Sequence, residues 1–95
     1  MDSVGIYGKT IDVANAMLEV LMEEIKEDDI LQFHKYKSSG NILYTKDGSM
    51  YEALTVCERR RGYNFSKVFI DKDIPVDMIE NLIYPYMPYA NYFYY

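Results

Sequence analysis

The clearest periodicity in the chain runs from Thr10 to Asp29. Ile11, Ala14, Leu18, Leu21 and Ile25 are spaced three, four, three and four apart, and Met17 and Met22 widen the same stripe. That spacing predicts an α-helix of about five turns with one side turned to a core. Thr10 suits the N-cap, and Asp12 the first turn, where a carboxylate meets the positive end of the helix dipole. The back of the helix carries Glu19, Glu23, Glu24 and Glu27 and runs out into Asp28 and Asp29. Val13 and Val20, seven apart, sit off the main stripe. They fit stray surface valines and a dimer seam equally well.

Beyond Asp29 the pattern shortens to that of strands. Residues 30–37 are rich in aromatic and branched side chains and end at the turn signal Ser38-Ser39-Gly40. Residues 41–46 predict a second strand, followed by Asp47-Gly48, a dipeptide suited to a tight hairpin. Residues 49–59 and 65–71 predict a third and a fourth, joined through Arg60-Arg61-Gly62-Tyr63-Asn64. Short connections between consecutive strands imply an antiparallel meander. The third and fourth strands carry apolar residues on both sides, so each face of the sheet needs cover.

Pro75 opens a second helix, with Val76, Ile79 and Ile83 as its stripe, and Pro85 and Pro88 end it. The tail, Tyr84 to Tyr95, holds six tyrosines and Phe93 and no charged side chain. Disordered tails are poor in rings and rich in charge, so this one is expected to pack. The predicted fold class is α+β. It comprises an N-terminal amphipathic helix, a four-stranded antiparallel β-meander, a short second helix and an ordered aromatic C-terminal tail. Residues 1–95 form a single domain, with 1–9 an irregular lead-in or a brief strand.

Charge changes the picture more than composition does. The formal charge of −5 is distributed unevenly. Residues 1–29 hold eight acids and two bases, residues 30–72 four acids and eight bases, and residues 73–95 three acids and no base. Acidic ends therefore flank a basic middle. No stretch of eighteen apolar residues and no signal-peptide pattern is present, which points to a cytoplasmic protein without membrane contact. Cys57 is the only cysteine, so no disulfide forms within the chain.

Candidate chemistry is sparse. His34 is the only histidine, which excludes a histidine metal cluster, and no group orients it toward Cys57. Asp71-Lys72-Asp73 offers two carboxylates to a cation but no third ligand. Gly5-Ile6-Tyr7-Gly8-Lys9-Thr10 is similar to a phosphate-binding loop, yet the motif needs its first glycine where Ser3 stands. No catalytic residue, metal or cofactor is expected.

Two charged constellations remain. Arg59, Arg60 and Arg61 with Tyr63 and Lys67 interleave cations and rings, as surfaces for single-stranded nucleic acid do. A pI near 4.7 weighs against that use, and direct nucleic-acid binding ranks second. Glu19, Glu23, Glu24, Glu27, Asp28 and Asp29 form the other. Rows of carboxylates can imitate the regular charge of DNA phosphates. In size and charge the chain is similar to bacteriophage anti-defence proteins, several of which are DNA mimics; the resemblance transfers no residues. The expectation is a non-enzymatic inhibitor that binds a basic, nucleic-acid-handling protein through its acidic helix face. A homodimer is expected, with Val13, Val20, Tyr89, Tyr92, Phe93 and Tyr94 as self-association candidates. An assembly protein driven by the aromatic tail is a further alternative.

Overall fold

A computed structural model describes residues 2–36, 39–56 and 64–95. Six strands form one mixed sheet in the order β2-β3-β4-β1-β5-β6. The strands are β1 (Ser3–Gly8), β2 (Ile30–His34), β3 (Ile42–Thr45), β4 (Met50–Thr55), β5 (Lys67–Ile70) and β6 (Asn91–Tyr94). Helix α1 spans Ile11–Met22 and α2 spans Val76–Leu82. The α+β class agrees with the sequence, but the meander holds for β2, β3 and β4 alone. β1 lies between β4 and β5 and runs parallel to both, and β6 runs parallel to β5.

The first nine residues are thus far more than a lead-in. Val4 and Ile6 of β1 point to one face of the sheet and Tyr7 to the other, and all three are buried. A strand covered on both faces shows no polar alternation, so periodicity alone does not reveal it. Gly8 ends β1 because the chain must turn there against α1. A Cβ at Gly8 would stand 2.3 Å from the backbone nitrogen of Ala14.

Each face receives one helix. On the first, Ala14, Leu18 and Leu21 of α1 bury against Val4, Ile6, Leu43 and Ala53. On the second, Ile79 and Ile83 pack with Tyr7, Leu54, Val68 and Ile70, and Phe65 and Met87 complete that core. Phe65 therefore shares a face with Val68 and Ile70, whereas Phe69 faces α1's side. The apolar residues on both sides of β4 and β5 are explained by this division. Val76, expected in the stripe of α2, is 66% exposed, and Met78 packs against the core in its place.

α1 stops three turns in, at Met22, short of the predicted Asp29. No basic residue sits in its last turn, and Glu19, Glu23, Glu24 and Glu27 crowd the negative end of the helix dipole. Like charges four apart on a helix repel, and no base within the last turn offsets them. The chain closes with i+3 hydrogen bonds from Glu24 and Ile25 to the carbonyls of Leu21 and Met22. It then extends at Lys26 and turns again in a 3₁₀ helix at Glu27–Asp29, which leads into β2.

The hairpin between β3 and β4 falls at the expected dipeptide, in a different form. Of the two residues of the dipeptide, only Gly48 adopts a positive φ, 89°. The Gly48 N–H donates to the Thr45 carbonyl, and the Thr45 N–H donates to the Ser49 carbonyl. This is the three-residue loop in which a turn is followed by a left-handed glycine.

Candidate interaction surfaces

The six acidic residues do not line one helical face, because α1 ends before five of them. Glu19 belongs to α1, Glu23 and Glu24 follow its end, and Glu27, Asp28 and Asp29 occupy the 3₁₀ turn. All six are exposed, and none pairs with a described cation. They wrap a corner of the molecule. Lys46 donates its N–H to the Asp29 carbonyl at 2.8 Å, which holds the 3₁₀ turn against the β3–β4 hairpin.

That tie brings in an acid that sequence proximity does not suggest. Asp47 lies beside Asp29 and Glu24 around a cavity of about 430 Å³, which also has Ile25, Lys26 and Tyr51 in its wall. The Asp47 carboxylate accepts from the Thr45 hydroxyl and from the Ser49 N–H. These hydrogen bonds hold its pKa down at about 2. Burial raises the Tyr51 phenol, and the charges of Asp2 and Asp47 raise it further. The hollow thus combines a ring with a negative field, a setting that favours a cation.

The basic constellation fares differently. Arg59, Arg60, Arg61 and Tyr63 lie outside the described residues. The strands on either side, β4 and β5, are separated by β1 and both run parallel to it. The connection between them is a crossover, not the hairpin expected. Lys67 is bound to Asp2 by a 3.2 Å ion pair.

The phosphate-loop reading gains its strand and helix, since β1 leads through Gly8 and Lys9 into α1. The site is nevertheless taken. Buried Asp71 accepts the Lys9 N–H at 3.0 Å through Oδ2 and the Asp73 N–H at 3.0 Å through Oδ1. A carboxylate already fills the place of an anion there and would repel a phosphate. Among the described residues, no group of three or more acidic, histidine or cysteine side chains is placed to hold a metal. His34 stands on β2 among rings, 6.2 Å from Tyr36 and 6.0 Å from Tyr44 between ring centres.

Of the self-association candidates, Val13 and Val20 are 38% and 55% exposed on the outer side of α1. Tyr89 is fully out, and Phe93 and Tyr94 are nearly half exposed on β6. Tyr92 turns inward, its ring edge-on to Tyr84 and its hydroxyl donating to the Met87 carbonyl at 2.6 Å. The tail packs in two ways: Met87, with Tyr84, Ala90 and Tyr92 against it, joins the core on the face of α2, and β6 forms an edge of the sheet. Among the described residues, no helix is long and apolar enough to cross a membrane. No family model, curated protein or solved structure matches the chain.

Proposed function

We propose that this chain is a non-enzymatic cytoplasmic binding protein that captures a basic, nucleic-acid-handling protein and blocks it. The observation that carries the reading is the corner of six exposed carboxylates from Glu19 to Asp29, free of described cation partners. Asp47 extends the negative field, and the hollow over Tyr51 suits one lysine or arginine side chain of the partner. Charge of one sign on a curved surface speeds encounter with a cationic groove and excludes acidic competitors. Inhibition follows by occupation of the surface that would otherwise hold nucleic acid, in the manner of the phage DNA mimics that the chain resembles in size and charge. The protein also self-associates, which doubles the number of acidic corners per particle.

The test is capture from nuclease-treated lysate with immobilised protein, eluted by rising salt. Wild-type protein retains a basic partner that salt releases, because exposed charges are screened over about 8 Å at physiological ionic strength. The variant with Glu23, Glu24 and Glu27 all changed to Lys loses that partner while its circular dichroism stays unchanged, since all three side chains are exposed. Undiminished capture by the folded variant would remove the acidic corner from consideration. Recovery of nucleic acid from untreated lysate, with no protein partner, would favour direct nucleic-acid binding.

A further inference from the structure

The two edges of the sheet, β2 and β6, are built differently. β2 carries the usual protections against pairing with another chain. Its register shifts between Ile30 and Gln32, the acidic Glu27–Asp29 turn precedes it and Lys35 follows it. β6 carries none of these. Its register with β5 is regular from Asn91 to Tyr94, with neither proline nor charge in the strand.

The backbone of β6 is also poised for a partner. Asn91 donates its N–H to Ser66 at 2.9 Å, and Tyr95 donates to Ile70 at 2.9 Å and accepts from Lys72 at 2.7 Å. In a parallel ladder alternate residues face the neighbouring strand, so Asn91, Phe93 and Tyr95 turn toward β5. Tyr92 and Tyr94 therefore direct their N–H and C=O groups outward from the sheet.

We propose that β6 pairs antiparallel with β6 of a second copy about a two-fold axis at Phe93, joining two six-stranded sheets into one. In this register Tyr92 lies opposite the partner's Tyr94 and exchanges both backbone hydrogen bonds with it. Tyr94 does the same with the partner's Tyr92, and Phe93 faces itself across the axis. All outward backbone groups of the two tyrosines are thereby satisfied. Phe69 and Phe93 already stack at 5.0 Å, so the pair of Phe93 rings continues a row of four across the boundary.

Charge selects the second copy as occupant. Two chains of −5 repel through most of their surfaces, but no side chain from Tyr84 to Tyr95 is charged. β6 also stands at the opposite edge of the sheet from β2 and its acidic turn. Pairing there leaves the Glu27–Asp29 turns at the two far ends of the joined sheet.

This inference rests on the self-association part of the function proposed above and is independent of capture. Sedimentation of the full chain, with amide exchange read by NMR, tests it. Wild-type protein sediments as a dimer, and Tyr92 and Tyr94 amides are protected along with those of Phe93 and Tyr95. Phe93→Lys and Phe93→Glu each weaken dimerisation by about tenfold or more, because each sets like charges directly opposite. An equal mixture of the two variants restores a dimer, since residue 93 faces itself. Tyr94→Pro, which removes an outward N–H together with the hydroxyl contact to Tyr84 and adds no charge, also yields monomer and guards against misfolding of the Phe93 variants. A monomeric wild type overturns the interface, and if it still captures its basic partner the acidic reading survives. A dimer that persists in both Phe93 variants, or no recovery on mixing, places self-association elsewhere, with the Val13–Val20 side of α1 next in line.

Discussion

At the scale of single residues, burial at Tyr94 and hydrogen bonds at Asp47 lead the shifts in ionisation and give sharp tests. Burial, and then the hydroxyl contact with Tyr84, push the Tyr94 phenol up to about 12. A raised phenol pKa favours the folded state while the ring is neutral, so this contribution is whole below about pH 10 and is lost as pH climbs through about 12. Tyr84→Phe removes the contact but not all of the burial, so Tyr94 titrates below 12 and still above 10, as the ring-carbon shift across an alkaline titration would reveal. Asp47 works in the opposite sense. Its carboxyl is lowered from 3.8 to about 2, so its contribution is present above about pH 4 and fades as pH falls through 2. In Asp47→Asn the part of the melting-temperature decline between pH 4 and 2 that belongs to this residue disappears. An unchanged slope would mean that its hydrogen bonds carry no stability. Asp71 shows why a residue list is not a site: its two acceptors are spent on backbone N–H groups, a use visible only once β1 and β5 are neighbours.

At the scale of elements, the β1–α1 junction is the joint on which the fold turns. The buried side of α1 reaches the sheet only because Gly8 lets the strand end lie against the first turn of the helix. Gly8→Ala sets a methyl against backbone atoms of Thr10 and Ala14 that have little room to move. It should cost about 3 kcal/mol, at the upper end of the usual penalty for overpacking, and denaturant unfolding would measure it. A cost below about 0.5 kcal/mol would show that the junction shifts freely. The same element explains the corner of acids. Helix periodicity predicted a straight row through Asp29, but the charges that make the row interesting also end the helix at Met22. The acidic surface is curved for that reason.

For the molecule as a whole, the aromatic tail is a structural member. Removal of residues 89–95 takes away β6, the Tyr92 ring against Tyr84 and the stacking of Phe93 and Tyr95 on Phe69. The loss of these half-buried rings should reduce stability by roughly 3 kcal/mol or more. It should also leave β5 as a new open edge that promotes aggregation. A truncated chain with an unaltered melting temperature and no tendency to aggregate would contradict the role assigned to β6. The arrangement assigns different tasks to different ends: charge at the α1–β2 corner, and uncharged rings at β6.

Local features were legible without coordinates because they depend on neighbours in the chain. The stripe Ala14, Leu18 and Leu21, the turn at Asp47-Gly48, the four strands from β2 to β5, the stop at Pro85 and the order of the tail are all of this kind. So was the exposure of the six acids, which no core accepts unpaired. What the tertiary structure alone decided is which strands meet. Nothing local marks Ser3–Gly8 as the central strand, since burial on both faces erases alternation. Nothing local joins β1 to β4 and β5, because that pairing is settled by which arrangement gives each apolar face a helix. The meander expected for four strands ends at three for that reason. The association of Asp47 with Asp29 and Glu24, and the outward-facing backbone N–H and C=O groups of Tyr92 and Tyr94, arise from long-range pairing in the same way.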